Sequence, residues 1–164
     1  MRLFRKREPR STPAKYRAGM RAMRRGNYEE AARLLREVIE ADPAHIPALH
    51  NLGLVYHMAG QHTKAIEQFQ RVIELKPSEA RAYLNLAAAE NALGHLDRAE
   101  SALLKALDIN PSQAGAHYNL AVIYLKRNEI PNAMAEMELE LAVNPGHRET
   151  QAALNALRER LLPG

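Results

Sequence analysis

A spacing of 34 residues runs through this chain and constrains its fold more than any other feature. A sequence that repeats itself at such a period is built from stacked copies of one supersecondary unit. Taking the recurrent proline as position 32 of each unit gives the repeats 12–45, 46–79, 80–113 and 114–147. Four columns of residues share the spacing: Pro43, Pro77, Pro111 and Pro145; Ala31, Ala65, Ala99 and Ala133; Leu35, Phe69, Leu103 and Met137; and Gly26, Gly60 and Gly94, with Asn128 in the fourth place.

Each repeat has the pattern of two helices joined by a turn. In the second repeat, Leu49, Leu52 and Tyr56 follow one another at helical spacing. Gly60 is typical of the residue that ends a helix, and Pro77 cannot continue the second helix. Alanine and leucine supply most of the apolar content and only 5% of residues are aromatic, which favours helices over strands. The sequence therefore predicts an all-α chain.

The ends of these helices can also be predicted. Thr12, which precedes a proline, and Thr63 are residues of the type that caps a helix N-terminus. Residues 148–162 have the pattern of one further amphipathic helix, in which Leu154, Leu157 and Leu161 are expected to face inward.

These columns resemble the tetratricopeptide repeat family over residues 12–147. The resemblance implies a right-handed α-solenoid of four helix pairs, in which the first helices line a concave groove and residues 148–164 form a C-terminal capping helix. Several positions depart from the family pattern: Lys15, Ala22, Glu90, Asn128 and Glu140. The second repeat carries the residues typical of the family: Leu52, Gly53, Tyr56, Gly60, Ala65, Phe69 and Pro77.

An asparagine recurs at position 6 of three repeats, as Asn51, Asn85 and Asn119, inside otherwise apolar runs. A buried amide without partners would cost about 1–3 kcal/mol. At about 100° per residue, position 6 lies at the border between the core face and the groove face of the first helix. Two interpretations remain open. The amides bond to neighbouring helices and fix the packing, or they form a ladder that binds the backbone of an extended peptide, since each offers a donor and an acceptor.

The resemblance also implies which side chains line the groove. Exposed leucine, valine, methionine and tyrosine there predict a docking surface for an extended or apolar peptide segment of a partner protein. The expected groove residues are Tyr16, Met20, Arg24, His50, Asn51, Leu54, His57, Met58, Arg81, Leu84, Asn85, Tyr118, Asn119, Val122 and Lys126.

One binding mode of the family is not expected here. Members that clamp the acidic tails of heat-shock chaperones carry a cluster of cationic residues at fixed repeat positions. Counted from the first repeat, those positions hold Tyr16, Met20, Asn51, Arg81 and Asn85. Counted from the second, they hold His50, Leu54, Asn85, Gly115 and Asn119. Neither set supplies the cations.

Catalytic and metal chemistry is not expected. The chain has no cysteine, which excludes disulfides, thiol catalysis and zinc–thiolate sites. His50 and His57 are seven residues apart, whereas a zinc-binding pair on a helix normally stands four apart. No glycine-rich phosphate loop is present. We therefore expect a non-catalytic scaffold without cofactor or metal, in a cytoplasmic setting.

The N-terminal segment has a different character. Residues 1–25 contain ten Lys or Arg and a single acid, Glu8, although the whole chain carries only +4. Residues 1–11 are predicted to be a basic and flexible tail. The alternative function is therefore a peripheral membrane or nucleic-acid adaptor, with Leu3 and Phe4 inserting into anionic lipid. Nucleic acid is less favoured because stacking aromatics are missing beside the charges. The basic residues of the tail are Arg2, Arg5, Lys6, Arg7 and Arg10.

A further expectation concerns the other end of the chain. Leu161 and Leu162 close the last amphipathic helix. Two apolar side chains at the end of a solenoid provide a contact for a second copy, so self-association through this helix is expected.

Overall fold

A computed structural model describes residues 11–161, so the basic tail and Leu162 lie outside the described residues. The prediction of an all-α fold is confirmed, since the described residues form helices and no strand. None of these helices combines the length and apolar character needed to cross a bilayer. In chain order they are α1 (Thr12–Arg24), α2 (Tyr28–Ala41), α3 (Ile46–Met58), α4 (His62–Leu75), α5 (Ala80–Ala92), α6 (Leu96–Ile109), α7 (Ala116–Lys126), α8 (Ile130–Val143) and α9 (Arg148–Leu161).

The chain divides into two compact units, Met1–Gln68 and Phe69–Gly164, and the division falls within α4. In the first unit, α1 packs on α2 and α2 packs on α3. In the second, α5 packs on α6, α6 on α7, α7 on α8 and α8 on α9. Each of these helices therefore packs on its neighbour in sequence, as in a repeat protein whose units contact only adjacent units.

The turn after the first helix of each repeat has the same backbone conformation. The residue there has a left-handed conformation, which glycine adopts freely and asparagine tolerates better than most residues. The N–H of the next residue then bonds back to the helix, as when Glu129 donates to the carbonyl of Tyr124 at 2.8 Å. Asn128 therefore replaces glycine without loss of the turn. The left-handed residues are Gly26 (φ 73°), Gly60 (φ 72°), Gly94 (φ 80°) and Asn128 (φ 60°).

The core consists of large side chains interleaved with alanine. In the second unit, Leu103, Leu120 and Ile123 pack together with buried alanines from α5, α6 and α7. In the first unit, Leu35 and Leu49 are fully buried. A methyl group at the recurrent alanine position lets the paired helices approach closely, which a larger side chain would prevent.

Two helices already include the residues that were predicted from sequence to cap them. α1 starts at Thr12, so its capping position is Ser11, and α4 starts at His62. Thr12 and Thr63 therefore lie inside the first turn, and their prediction as N-caps is wrong. α2 has a side-chain cap, because Asn27 Oδ1 accepts from the N–H of Glu30 at 3.2 Å.

Glu140 is completely buried, although its repeat position usually holds a small residue. Both of its carboxylate oxygens accept the N–H of Gly115 at 3.1 Å, and one also accepts the N–H of Tyr118 at 3.4 Å. These N–H groups belong to the start of α7, where no earlier carbonyl can satisfy them and where the helix dipole favours a negative charge. Glu140 on α8 therefore caps α7 from a neighbouring helix.

We expect Glu140→Ala to lower the free energy of unfolding by about 1–3 kcal/mol, because it leaves the buried N–H groups of α7 unsatisfied. Glu138→Ala provides a matched control on the same helix. Glu138 is exposed and bonds Arg158 at the surface, so its loss should cost less than about 1 kcal/mol. Urea denaturation measures both. Equal losses in the two variants would contradict the capping role of Glu140.

α9 covers the end of the last helix pair. Leu154 is 2% exposed and packs with Met137 and Ala121, and Leu157 is partly buried against the same cluster. Leu161, by contrast, is 60% exposed, so the prediction that it faces inward is wrong. The cluster ends before the last turn of α9, which leaves Leu161 without a complete apolar neighbourhood.

Replacing Leu154 with Ala should therefore reduce the free energy of unfolding by about 2–5 kcal/mol, as expected for a buried leucine. The same substitution at Leu161 should have little effect on stability, because that side chain is already exposed. Thermal or urea unfolding of the two variants tests the assignment. A cap that contributes nothing would leave Leu154→Ala as stable as Leu161→Ala.

Candidate functional site

The first unit presents an open apolar side on α3. This helix buries Leu49, Leu52 and Val55. Its other side carries Leu54, which is only half-buried, and Met58, which is 52% exposed, among polar residues. Accessible apolar side chains of this kind are candidates for contact with a partner. The other predicted groove residues of this unit are half-buried, except for exposed Arg24: Tyr16, Met20, His50, Asn51 and His57.

The second unit repeats this arrangement on α7. Leu120 and Ile123 are buried, whereas Tyr118 and Val122 are half-buried. Lys126 is exposed and its ammonium group donates to the side-chain oxygen of Asn91 at 2.6 Å. This bond joins α7 to the end of α5. The remaining predicted groove residues of the second unit are exposed Arg81 and half-buried Leu84, Asn85 and Asn119.

Two tyrosine–histidine ring pairs were not predicted from sequence. Tyr16 packs against His45 with ring centroids 5.3 Å apart, and Tyr118 packs against His147 at 4.9 Å. Each histidine also accepts a backbone N–H at a helix start, His45 from Ala48 and His147 from Thr150. A signal was present, because both pairs combine tyrosine at position 5 with histidine at position 34 of the same repeat. The capping role of these histidines fixes the ring against which each tyrosine lies.

Asn51 has two hydrogen bonds, and both use its side-chain nitrogen. Nδ2 donates to the backbone carbonyl of Pro47 at 2.7 Å and to the hydroxyl of Tyr16 at 3.0 Å. The carbonyl of Pro47 can only accept, so the orientation of the amide follows from chemistry. The bond to Tyr16 ties α3 to α1. Oδ1 of Asn51 takes part in neither bond.

Asn119 has a more local bond. Its Nδ2 donates to the carbonyl of Gly115, one turn earlier in the chain, at 2.7 Å. The second amide hydrogen and Oδ1 of Asn119 take no part in this bond. Asn51 and Asn119 therefore share a bond to the carbonyl four residues earlier, and Asn51 in addition joins α3 to α1.

The tetratricopeptide repeat family model matches residues 16–80, 59–114 and 84–148. These segments together cover most of the chain. The chain belongs to the tetratricopeptide repeat (TPR) family. No curated protein sequence matches it significantly.

Solved structures of TPR proteins have the same fold. MamA is 27% identical, with a TM-score of 0.77 over 87% of this chain and 83% of MamA. A thermophilic TPR protein from Thermus thermophilus is 24% identical, with a TM-score of 0.78 over 92% of this chain and 83% of that one. The first TPR of Spaghetti bound to an HSP90 peptide is 22% identical, with a TM-score of 0.68 over 71% and 93% of the two chains. The predicted TPR solenoid is therefore confirmed as the fold class.

The tyrosine position of the TPR pattern shows how the repeats are tied together. In the fourth repeat Tyr124 donates to Glu100 on α6 at 2.8 Å, and Arg127 bonds the same carboxylate. Burial and the bond to Glu100 raise the pKa of Tyr124 to about 12. The bond from Arg127 lowers the pKa of Glu100. In the third repeat Glu90 takes the tyrosine position and bonds His95 at 2.6 Å.

A histidine pair lies at the turn between α3 and α4. The Nδ1 atoms of His57 and His62 are 3.2 Å apart. Burial lowers the pKa of His57 below its ordinary value of 6.5, and the neighbouring His62 lowers it further. Across residues 11–161, no three or more acidic or histidine side chains come together as a metal site. The two rings form a hydrogen-bonded contact between α3 and the start of α4.

This histidine pair should make stability depend on pH. Because the pKa of His57 is lower in the folded chain, the unfolded chain binds more protons as the pH falls below about 6.5, and stability decreases. We expect His57→Gln to reduce this loss. His62→Gln should reduce it less, since the burial of His57 remains. Melting temperatures of the three proteins between pH 8 and pH 5 test the expectation, which an unchanged pH slope in His57→Gln would contradict.

Proposed function

We propose that this chain is a non-catalytic TPR scaffold that binds an extended segment of a partner protein on the first helices of its repeats. The observation that carries the proposal is the open apolar side of α3 and α7. Leu54 and Met58 on α3, and Val122 on α7, remain accessible although the opposite sides of these helices fill the core. Accessible apolar side chains of this kind mark sites where another apolar surface docks.

The position-6 amides supply the polar part of this recognition. Asn51 already uses both hydrogens of Nδ2, so it offers a ligand an acceptor at Oδ1. It is therefore suited to a peptide N–H. Asn119 keeps one hydrogen in addition to Oδ1, so it can pair with a peptide N–H and a peptide C=O together. Main-chain recognition of this kind tolerates many ligand sequences, because every residue except proline has both groups.

The side chains at position 5 set the character of the ligand. Tyr16 and Tyr118 each present a ring held against a histidine. Such rings favour apolar or aromatic ligand side chains between the main-chain contacts. The TPR bound to an HSP90 peptide supports peptide binding by this fold. The cationic set expected for acidic chaperone tails is absent from the corresponding positions, which instead hold residues such as Met20 and Leu54.

The test begins with peptides selected on the wild-type chain from a random displayed library. We expect the variant Asn51→Ala, Asn85→Ala, Asn119→Ala to bind a selected peptide about ten- to a thousandfold more weakly, because each lost hydrogen bond is worth about 0.5–1.5 kcal/mol. Isothermal titration calorimetry measures the affinities. The amide ladder is excluded if the triple variant is folded and binds with wild-type affinity.

A matched control replaces three exposed amides elsewhere with alanine: Asn132, Gln151 and Asn155. This variant should keep the wild-type affinity. Stability separates the two roles of the asparagines. Asn51→Ala should lower the melting temperature because it removes the bond to Tyr16, whereas Asn119→Ala loses only a bond at the start of α7.

A further inference from the structure

Three arginines follow one another along α1 and its C-terminal capping residue. Arg17, Arg21 and Arg25 follow one another every four residues, so they project from one side of the helix over about 12 Å. None of the three is buried, and none of them makes an ion pair within residues 11–161. α1 itself contains no acidic residue.

At one of these three positions the later repeats hold apolar, buried residues. Position 10 holds Val55 in α3 and Ile123 in α7, both 0% exposed, and in the first repeat it holds Arg21. Ile123 is covered by residues of α6 such as Leu103. An arginine in this place excludes apolar stacking of another helix pair, since burying its unpaired charge is costly.

The need for a polar outer face does not by itself explain why Arg17, Arg21 and Arg25 all carry positive charge. The end of a solenoid needs polarity, but not one kind of charge. α9, at the other end of the described chain, mixes the two signs along its exposed side, with Arg148 beside Glu149 and Glu159 between two arginines. Two acids of α2 lie beside α1. Glu37 bonds Lys15 of α1 at 2.9 Å, and Glu30 borders the same small cavity of about 220 Å³ as Arg21 and Arg25. Its carboxylate bonds Arg33, at 3.5 Å.

We propose that Arg17, Arg21 and Arg25 form a binding surface for the anionic headgroups of a lipid bilayer. A basic residue close to such a surface contributes about 1 kcal/mol, and three on one line can reach it together. Nucleic acid fits the surface less well, because single-strand binding relies on aromatic stacking beside the charges. Tyr16, the aromatic residue of α1, is engaged with His45 and Asn51.

The experiment measures binding of the full chain to vesicles of phosphatidylcholine with and without phosphatidylserine. The variant R17Q/R21Q/R25Q should bind the anionic vesicles about a hundredfold more weakly. A matched control, R36Q/R98Q/R148Q, removes three exposed arginines of other helices and gives the same net charge. It should bind within about threefold of the wild type, since its arginines come from three different helices and do not follow one another along a single helix. Circular dichroism melting verifies that both variants are folded.

Two further measurements, on a truncated chain and on a DNA duplex, complete the test. A chain that starts at residue 11 should still lose binding on R17Q/R21Q/R25Q; binding that depends on residues 1–10 alone would overturn the proposal. Equal losses in the two triple variants, or equal binding to neutral vesicles, would overturn it as well. Binding to a DNA duplex through these arginines, without binding to phosphatidylserine, would also overturn it and make nucleic acid the partner. Peptide affinity of the same variants reports separately on the proposed function.

Discussion

A completely buried alanine in the second helix of each repeat is the constraint on which the rest of the structure depends. Ala31, Ala65, Ala99 and Ala133 are all 0% exposed. With a methyl group at this place, the large side chains of the first helix reach the second and fill the core from one side only. The opposite side of the first helix is then left outside the core, and this is where Leu54 and Val122 lie half-exposed.

Helices, turns and core columns could be predicted from the sequence because each depends on a local or periodic property. A glycine or asparagine every 34 residues predicts the left-handed turn, and the structure has it at Gly60 and at Asn128. Features that depend on a contact between distant residues could not be predicted. Glu140 conflicts with the pattern of its own helix, and its role appears only when α8 lies beside the start of α7.

The candidate site shows the same difference between local features, which could be predicted, and contacts between distant residues, which could not. Repeat positions predict which side chains lie on the first helices, but not how those side chains are already bonded. The histidines at position 34 carry no signal within their own segment, and their role requires the tyrosine of position 5 and the start of the next helix. Arg21 resembles any other exposed arginine in the sequence, but the structure shows that Val55 and Ile123, at the same repeat position, are buried.

The asparagines show why packing and binding need not be alternatives. A side-chain amide has two donor hydrogens and an acceptor oxygen, and these can serve different partners. At Asn51 the hydrogens hold Pro47 and Tyr16, so the oxygen is fixed in direction before any ligand arrives. An acceptor held in place loses less conformational entropy on binding than a free one. In the proposed amide ladder, the contact that ties α1 to α3 would also orient Asn51 for a peptide N–H, and Asn119, held at one hydrogen, would gain less from this effect.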